Sequence, residues 1–466
     1  MKPFQRINVN LINIKSITLM KKTLVLILFI ILTAGTSFSQ ESYDLNKTVR
    51  TALNNSLTIS TFNNNISIQE LNLKSSYGDL IPSLSFSGNW SKSNTYSKGG
   101  IIYQNGLPIT TSTISTTSDN FGVGLSSNVT LFNGFANYDN IELQKQNIAS
   151  QKLNLEQAKN DIVMGIYRFF FDVLKKEQIL KANEDNLAVS REQLSRIKEY
   201  VNVGKKTQSE VYKQDVQVAQ NEMSVLSSAN ELSKSKVELL NAMNEDISKT
   251  IIVDNSGIFV PTQLSELQSV ISRYSSFDNL VKNAIESRYE YKSAIHDITL
   301  SEQRLSISKK SLYYPTLSAF GNYNISGSKI DEINNNRVFT FGLTLSYPIF
   351  QGFQTDVTKQ TYEVNIKQKK EDLVKLERQI RTEIKKAVFD LETAYKQIEI
   401  TERNIVSAEQ DKLLSEENFR IGYGTLLDVQ VATTNLNNLR INRINYLYNF
   451  LLLQKQIDYL SGLLKY

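Results

Sequence analysis

Apolar and polar residues alternate strictly in the segment from Val338 to Phe353, which reads VFTFGLTLSYPIFQGF. Every second residue is apolar, namely Phe339, Phe341, Leu343, Leu345, Tyr347 and Ile349. Because successive side chains of a β-strand point to opposite faces, this period of two predicts a strand with one apolar face and one small, polar face. A Gln351-Gly352 turn ends the segment, and a charged, helix-favouring run follows at once.

The same pattern occurs earlier in the chain, in the segment from Phe121 to Phe135. When this segment is shifted by 218 positions, its apolar residues fall on those of the later segment, and Gly134-Phe135 falls on Gly352-Phe353. The match indicates a duplicated unit in which a strand leads directly into a helix.

Each of these strands is followed by a long segment with helical periodicity. In the first copy the apolar positions are Leu155, Ala158, Ile162, Ile166, Phe169, Val173 and Leu180. Shifting by 218 gives Leu373, Leu376, Ile380, Ile384, Ala387, Leu391 and Ile398. Steps of three and four residues predict a helix with a nearly heptad seam, from about 137 to 200 in the first copy. A run of roughly 60 residues would be about 90–100 Å long.

The remaining segments repeat in the same order. A second helix is predicted over 207–243, with its copy over 425–460. Before the long helices we predict a helical region (43–80, restarting at 277), a first strand (83–97, restarting at 317) and a polar loop (98–119, and 326–336). The chain is thereby divided into a leader (1–39), a first repeat (40–243), a linker (244–274) and a second repeat (275–466).

The first part of the chain, 1–39, has the features of an export leader. Lys21 and Lys22 precede a short apolar core, Leu24 to Leu32, and small residues follow with a cleavage position before Gln40. We interpret 20–39 as a secretory signal peptide and 1–19 as upstream of the true start, with a retained membrane anchor as the alternative. No later segment approaches the ~20 apolar residues of a spanning helix, so any membrane crossing must use strands.

Composition and charge exclude several classes of function. The chain has no cysteine, which excludes disulfides, thiolate metal sites and a lipid-modified N-terminal cysteine. Five of its 52 basic residues lie in 1–39, and the remainder balances 47 basic against 47 acidic residues, which disfavours a nucleic-acid partner. With one histidine, His296, and no glycine-rich phosphate loop, we predict no catalytic, metal or cofactor site.

Two hairpins give only four strands in one chain. Backbone groups in lipid must all be paired, and outer-membrane barrels need about eight strands or more. A sheet that enters a membrane must therefore be completed by other copies of the chain, with its apolar face towards lipid and its polar face towards a lumen. The alternative is a soluble sandwich whose apolar face packs inward.

In this order, and duplicated, these features resemble the outer-membrane factor family typified by TolC, the trimeric channel-tunnels of efflux pumps and type I secretion systems. The likeness covers the whole mature chain. It begins with an Ala52-Leu53-x-Asn55 motif, and each first strand starts with Pro-x-Leu. Each second strand ends with Gly-Phe, and the tip turns lie at 200–204 and 419–422. The resemblance implies an α+β membrane protein with long helical hairpins and two β-hairpins per chain. Three chains would complete a twelve-stranded barrel and a twelve-helix tunnel.

The resemblance also implies the site residues. The tips that dock a periplasmic adaptor would be formed by Val203, Gly204, Ile421 and Gly422. Asp428 matches an acid of the periplasmic constriction, and Glu210 occupies the equivalent place in the first repeat. A ring of such acids would attract cations and destabilise a closed, dry pore through like-charge repulsion. The alternative is that both are first-turn acids favoured by the helix dipole.

Three residues near the tips depart from the family's closed-state latch. Phe419 stands where the best-known members have a tyrosine, Gly424 where they have an arginine, and Val431 where they have a second acid. The resemblance therefore does not carry the usual latch over to this chain.

The sequence predicts a passive exit duct in the outer membrane with a long periplasmic extension, and not an enzyme. The partners implied are two further copies of the chain, a periplasmic adaptor, an inner-membrane transporter and outer-membrane lipid. The alternative function is a periplasmic or surface coiled-coil stalk with structural or adhesive work.

Overall fold

The computed structural model describes residues 41–256, 258–261 and 263–464, so the predicted leader lies outside the described residues. The helices of the described part are α1 (Leu45–Asn55), α2 (Leu57–Gly78), α3 (Ala136–Asn202), α4 (Gln208–Ala242), α5 (Leu264–Arg273), α6 (Phe277–Ser287), α7 (Tyr289–Tyr313), α8 (Gln354–Ile421) and α9 (Leu426–Leu460). The strands are β1 (Glu41–Tyr43), β2 (Ser83–Ser97), β3 (Ile101–Gln104), β4 (Leu107–Thr110), β5 (Ile114–Phe132), β6 (Ile251–Val253), β7 (Thr316–Gly327) and β8 (Asn336–Ser346).

The two repeats fold alike, which confirms the duplication. Helix α3 begins at position 136 and α8 at 354, which is the shift of 218 found in the sequence. Helices α4 and α9 are related by the same shift at both ends, since 208–242 becomes 426–460. Helices α1 and α2 begin at 45 and 57, and α6 and α7 begin at 277 and 289, a common shift of 232. Residues can therefore be matched one to one between the long helices of the two repeats.

The heptad positions predicted for the long helices form the core between them. Val173 in α3 and its equivalent in α8, Leu391, are both almost fully buried. One apolar cluster joins α1, α3, α4 and α9 with the small parallel pair of β1 and β6, and a second joins α5, α6, α8 and α9. The packing follows from the apolar seam, because each long helix buries that stripe against its neighbours.

The four long strands form one antiparallel sheet in the order β2-β5-β7-β8, so the two predicted hairpins lie side by side. Within the described residues, β2 and β8 each have only one neighbour and form the two edges of the sheet. The apolar face is uncovered, and the Phe341 side chain in the middle of β8 is 76% exposed. The soluble-sandwich alternative is therefore wrong, because it needs this face to pack inward.

The polar loop predicted over 98–119 is partly wrong, because it contains the hairpin of β3 and β4 and the start of β5. Its turn is Asn105-Gly106, with φ values of 54° and 81°, the backbone that two-residue hairpin turns require. The abundance of Gly, Ser and Thr around this turn concealed a short apolar alternation, Ile102 opposite Ile109.

Two other boundaries also differ from the prediction. Strand β8 ends at Ser346, although the apolar alternation continues beyond it, since Pro348 has no backbone N–H to donate to a ladder. The helical region predicted over 43–80 is two helices, and Ser56 separates them as the N-cap of α2.

Gly134 and Gly352 occupy the two strand-to-helix turns and provide a matched test of the fold. Both have positive φ, 67° and 64°, so alanine at either position should cost about 1–2 kcal/mol of backbone strain. At Gly134 a Cβ atom would also lie 2.8 Å from the Cβ atom of Tyr314, whereas at Gly352 nothing lies within 4 Å. We expect Gly134→Ala to lower the thermal stability of the detergent-solubilised protein clearly more than Gly352→Ala, measured by circular dichroism. Equal losses would contradict the close packing of Tyr314 on the first turn.

Candidate functional site at the helix tips and on the sheet

The four residues predicted to dock an adaptor lie in the two turns at the ends of the long helices. Val203 and Gly204 lie in the turn between α3 and α4, whereas Ile421 is the last residue of α8 and Gly422 begins the turn to α9. The Val203 and Ile421 side chains are 67% and 62% exposed, and Tyr423 in the second turn is exposed as well, so both turns present apolar surface to the outside.

Both turns have the same backbone geometry. Gly204 has φ of 75°, its N–H donates to the Val201 carbonyl at 2.9 Å, and the next N–H, of Lys205, donates to the Tyr200 carbonyl at 2.8 Å. The turn at Gly422, with φ of 87°, has the corresponding pair of bonds. This pattern satisfies the last carbonyls of the helix and needs a residue that accepts the left-handed conformation, which explains the glycine in both copies.

Glu210 and Asp428 lie in the first turns of α4 and α9, where each completes a capping box. The Thr207 backbone N–H donates to Oε2 of Glu210 at 2.8 Å, and the Thr425 backbone N–H donates to Oδ2 of Asp428 at 2.9 Å. Such boxes satisfy helix N–H groups that otherwise lack partners. The local role that the sequence offered as an alternative is thus present at both acids, and the constriction remains a prediction.

Hydrogen bonding keeps the Asp428 carboxyl ionised. The Thr425 backbone N–H, and then its hydroxyl, lower the pKa of Asp428. A depressed pKa means that the capping box contributes stability above the pKa of the unfolded chain, and that this contribution is lost as pH falls through the folded-state pKa. At neutral pH the tip of α9 therefore has an exposed negative charge.

The two helical hairpins pack against each other at the tips through a shared apolar cluster, which we call the tip cluster. Its buried members are Leu187, Leu194, Ile197, Val211, Val218, Phe419, Leu426 and Val429. Lys206, in the first tip turn, places its Nζ atom 3.8 Å from the centroid of the Phe419 ring. The sequence identified Phe419 only as a departure from the family, whereas the structure places it in this cluster with 3% exposure.

Amide side chains form a second link between the hairpins, at the level of the tip cluster. Gln214 of α4 is almost fully buried and donates through Nε2 to the carbonyl and the hydroxyl of Ser190, both at 3.1 Å. Its Oε1 atom accepts from Nε2 of Gln430 in α9, also at 3.1 Å. No pattern in the sequence indicated this contact, because it joins two hairpins that are far apart along the chain.

The other two latch positions have no cross-hairpin side-chain link of this kind. Gly424 has its backbone N–H bonded to the Asn418 carbonyl at 3.0 Å, and a Cβ atom there would lie 3.1 Å from the Asn418 Cβ atom. An arginine would fit this position only if that neighbour moved. Val431 is half exposed.

The polar face of the four-stranded sheet consists almost entirely of Ser, Thr, Asn and Gly, and across β2, β5, β7 and β8 it contains no ionisable side chain. Phe320 is its one aromatic residue, and the ring lies over Gly342, where a Cβ atom would come within 3.0 Å of it. Asn324 lies over Gly124 in the same way. The glycines leave room for these larger side chains, and the face as a whole is polar and uncharged.

Metal-binding groups and spanning helices are both lacking in the described part of the chain. Over 41–256, 258–261 and 263–464, no group of three or more His, Cys, Asp or Glu side chains is arranged to hold a metal ion. His296 is partly buried, with Nε2 2.8 Å from the Gln146 carbonyl. None of the helices in these ranges has the length and apolar character needed to cross a membrane.

A family model described as outer membrane efflux protein matches residues 48–245 and 280–463, which is most of the chain. The chain belongs to the outer membrane efflux protein family. Among relatives, it is 20% identical to the outer membrane protein TolC of Vibrio cholerae serotype O1 over 74% of this chain and 76% of that protein. Among solved structures, CusC has a TM-score of 0.71 at 14% identity, covering 90% of this chain and 92% of CusC. VceC of Vibrio cholerae has a TM-score of 0.68 at 16% identity, covering 90% and 96%.

Membership of the outer membrane efflux protein family assigns this chain to the outer membrane as an efflux channel. It also confirms that the chain is not an enzyme.

Proposed function

We propose that three copies of this chain close into one channel that acts as the passive exit duct of a tripartite efflux pump or a type I secretion system. The observation that supports this most directly is the uncovered sheet, which has two unpaired edges and an exposed apolar face. Three such sheets would pair edge to edge into a twelve-stranded barrel, the apolar face meeting lipid and the neutral polar face lining the lumen. A coiled-coil stalk, the alternative from sequence, leaves this face unexplained.

The repeat itself supports closure by further copies. Within one chain the first repeat meets the second where β5 pairs with β7 and where α3 packs against α7 and α9. If each element in this contact is replaced by its counterpart in the other repeat, the result is a second contact of the same kind. It would lie between the second repeat of one copy and the first repeat of the next copy. There β8 would pair with β2, and α8 would pack against α2 and α4. These are the edges that one chain leaves open.

The same internal repeat is the basis on which we propose the division of the chain into repeats over 40–243 and 275–466, the linker 244–274 and the leader 1–39.

In the proposed trimer the paired tips lie at the end of the long helices that is far from the membrane. Val203, Gly204, Ile421 and Gly422 would there meet a periplasmic adaptor and the inner-membrane transporter it serves. Solutes would leave through the lumen, and their selection would occur upstream, since a wide neutral wall makes few discriminating contacts.

Glu210 and Asp428 would form the acidic constriction at the tips, in addition to capping their helices. Asp428→Ala removes both the charge and the cap, whereas Asp428→Asn removes the charge and keeps an oxygen that can accept the Thr425 N–H. In planar bilayers with a potassium chloride gradient, we expect both variants to shift the reversal potential towards lower cation preference. A shift in the alanine variant alone would assign the effect to lost capping.

The same recordings test the proposed function as a whole. Wild-type protein should form pores, and it should migrate as a heat-modifiable oligomer in detergent. A purified protein that forms no pore, or that remains monomeric in detergent, would rule the proposal out.

A further inference from the structure

The first long β-hairpin of the sheet extends much further from the helices than the second. The first strands of the two hairpins match with a shift of 233, measured between their Pro-x-Leu starts, and the second strands match with the shift of 218. The last pair of the second hairpin, Ser326 with Asn336, then corresponds to Ser93 with Ser118, which are themselves paired. Beyond this level the first hairpin continues through residues 94–117, which we call the extended hairpin.

The extended hairpin is one ribbon that is interrupted once, where its two sides approach closely. The register is the same before and after the interruption, since Ser97 lies opposite Ile114 and Ile101 lies opposite Thr110. At the interruption, a Cβ atom on Gly99 would lie 2.3 Å from a backbone oxygen of the opposite side, so a larger residue does not fit. Strands β3 and β4 therefore form the far end of the ribbon that β2 and β5 begin.

The extended hairpin starts where the apolar face of the sheet ends. Trp90 stacks on Phe121 with 6.3 Å between the ring centroids, and its Nε1 atom donates to Oδ1 of Asp119 at 3.3 Å. Asp119 also forms an ion pair with Lys92 at 3.6 Å. Tryptophan at the border of an apolar band is typical of the membrane–water interface, and charged side chains lie on its water side. Because β2 begins and β5 ends next to the helices, the extended hairpin would project from the opposite end of the proposed barrel, into the medium outside the cell.

The far end of the extended hairpin is uncharged and apolar on both faces. Residues 99–118 include no acidic or basic side chain. Ile102 and Ile109 are opposite each other on one face, and Ile101 and Tyr103 lie on the other. All four are exposed in the single chain, Tyr103 to 75%. An isolated hairpin is at best marginally stable in water, and contiguous exposed apolar surface marks a contact site, so we expect another surface to cover this end.

Neighbouring copies of the chain fit this end better than a lipid surface does. A bilayer would cover one face of the ribbon and leave the other in water, whereas each hairpin in a ring of three has a neighbour on both sides. Attraction to anionic headgroups uses lysine or arginine, and residues 99–118 have neither. The lack of charge also lets three identical segments meet without electrostatic repulsion.

The ribbon is long enough for the three ends to meet. Twelve strands that are spaced about 4.8 Å apart and tilted by about 35–45° close into a barrel with a radius of roughly 11–13 Å. The extended hairpin adds the eleven positions from 94 to 104 to one strand, which is about 35 Å of ribbon. This length exceeds the radius, so an inward-leaning hairpin reaches the axis of the channel.

We propose that the extended hairpins of three copies lean over the outer mouth of the channel and pack against one another there. The contact is formed by the exposed apolar side chains of β3 and β4, namely Ile101, Ile102, Tyr103, Leu107 and Ile109. This proposal rests on the proposed trimer, because one chain supplies only one of the three hairpins. It gives the channel an apolar closure at its outer end, which a departing solute must displace.

Cysteine substitution tests the contact, since the chain has no native cysteine. Tyr103→Cys places one thiol at the far end of each hairpin, and Ser115→Cys places one at an exposed position near the base of the same ribbon. The full-length trimer in proteoliposomes, at low protein density, would be oxidised with copper phenanthroline and resolved on denaturing gels. We expect disulfide-linked dimers to be several-fold more abundant for Tyr103→Cys than for Ser115→Cys.

The outcomes separate this proposal from the proposed function. Equal dimer yields from the two variants, with the trimer intact, would overturn the contact between hairpins. Quenching of a bimane label on Tyr103→Cys by spin-labelled lipid would also overturn it, because the bilayer would then cover the hairpin. If the wild-type protein forms no heat-modifiable trimer, the proposed function itself fails, whatever the cysteine variants show.

A second experiment tests whether the hairpins close the mouth. Ile102→Glu with Ile109→Glu would bring six carboxylates together in the trimer, and their repulsion should hold the hairpins apart. Ser115→Glu with Thr117→Glu is the matched control, because it adds the same charges at exposed positions near the base of the ribbon. Each pair would be combined with Thr340→Cys, whose side chain lies on the polar face of β8.

The readout is the rate at which a large polyethylene-glycol maleimide, added outside intact cells, labels Thr340→Cys. The reagent enters from the outer end, so the helix tips do not limit its access. We expect labelling to be several-fold faster with the two glutamates on β3 and β4 than with Thr340→Cys alone, and unchanged with the control pair. Equal rates in all three proteins would show that the hairpins do not close the mouth.

Discussion

Replacement of Phe341 by arginine is expected to abolish assembly of the channel in the outer membrane. Phe341 lies in the middle of β8 on the apolar face, with 76% of the residue exposed. A positive charge on the lipid face of a barrel costs about 2–4 kcal/mol near the bilayer midplane, and the trimer would contain three. This total is comparable to the free energy of unfolding of a typical domain, about 5–15 kcal/mol. The measurement is the amount of heat-modifiable trimer in outer-membrane fractions.

The neighbouring residue provides the matched control. Thr340 is in the same strand, one position away, and its side chain points to the polar face. Thr340→Arg should assemble as well as the wild type, since its charge would face a water-filled lumen, and it should shift ion selectivity towards anions. If Thr340→Arg failed to assemble and Phe341→Arg succeeded, the two faces would have been assigned the wrong way round.

The long helices could be predicted from sequence because their periodicity extends over many turns. The helix expected over 137–200 is observed as Ala136–Asn202, and the second helix of each repeat agrees within one residue at each end. The start of α4 is marked locally by Thr207 and Glu210, which form a capping box three residues apart. Here local propensity, helix caps and the hydrophobic pattern all favour the same structure.

Short or nonlocal elements were missed for physical reasons. The β3–β4 hairpin has only four residues in each strand, too few for alternation to stand out among polar neighbours. The parallel pairing of β1 with β6 brings Tyr43 opposite Val253. Each of these strands has only three residues, which is too short to show a period of two. The two strands are also far apart along the chain, so nothing in the sequence indicates that they pair. Such contacts depend on tertiary packing, which a single sequence does not display.

The candidate site was predictable in its backbone but not in its side-chain contacts. Glycines at 204 and 422 mark the tip turns, because few other residues accept a positive φ there. The contact of Lys206 with Phe419 joins two hairpins, and neither residue stands in a pattern that identifies its partner. Duplication offers a partial remedy, since a contact within one chain indicates the equivalent positions at the junction between copies.

A second large effect is expected at the junction between copies, from glutamate in place of Leu226. Five apolar residues form an exposed stripe along α4, namely Tyr212, Val216, Met223, Leu226 and Val237. Leu226 is 72% exposed, yet its equivalent in the second repeat, Ile444, packs against an apolar cluster that includes residues of α3. By the same equivalence, Leu226 would be covered by α8 of the neighbouring copy.

Leu226→Glu would bury three unpaired carboxylates in the assembled ring, which costs far more than the lost apolar contact alone. We expect the variant chain to fold, because Leu226 has few contacts within its own chain, but to remain monomeric in detergent and to form no pores. Ser224→Glu is the matched control, because it adds the same charge to an exposed position of α4 off the stripe. It should form trimers normally. Size-exclusion chromatography with light scattering distinguishes the outcomes, and a trimeric Leu226→Glu protein would show that α4 does not lie between copies.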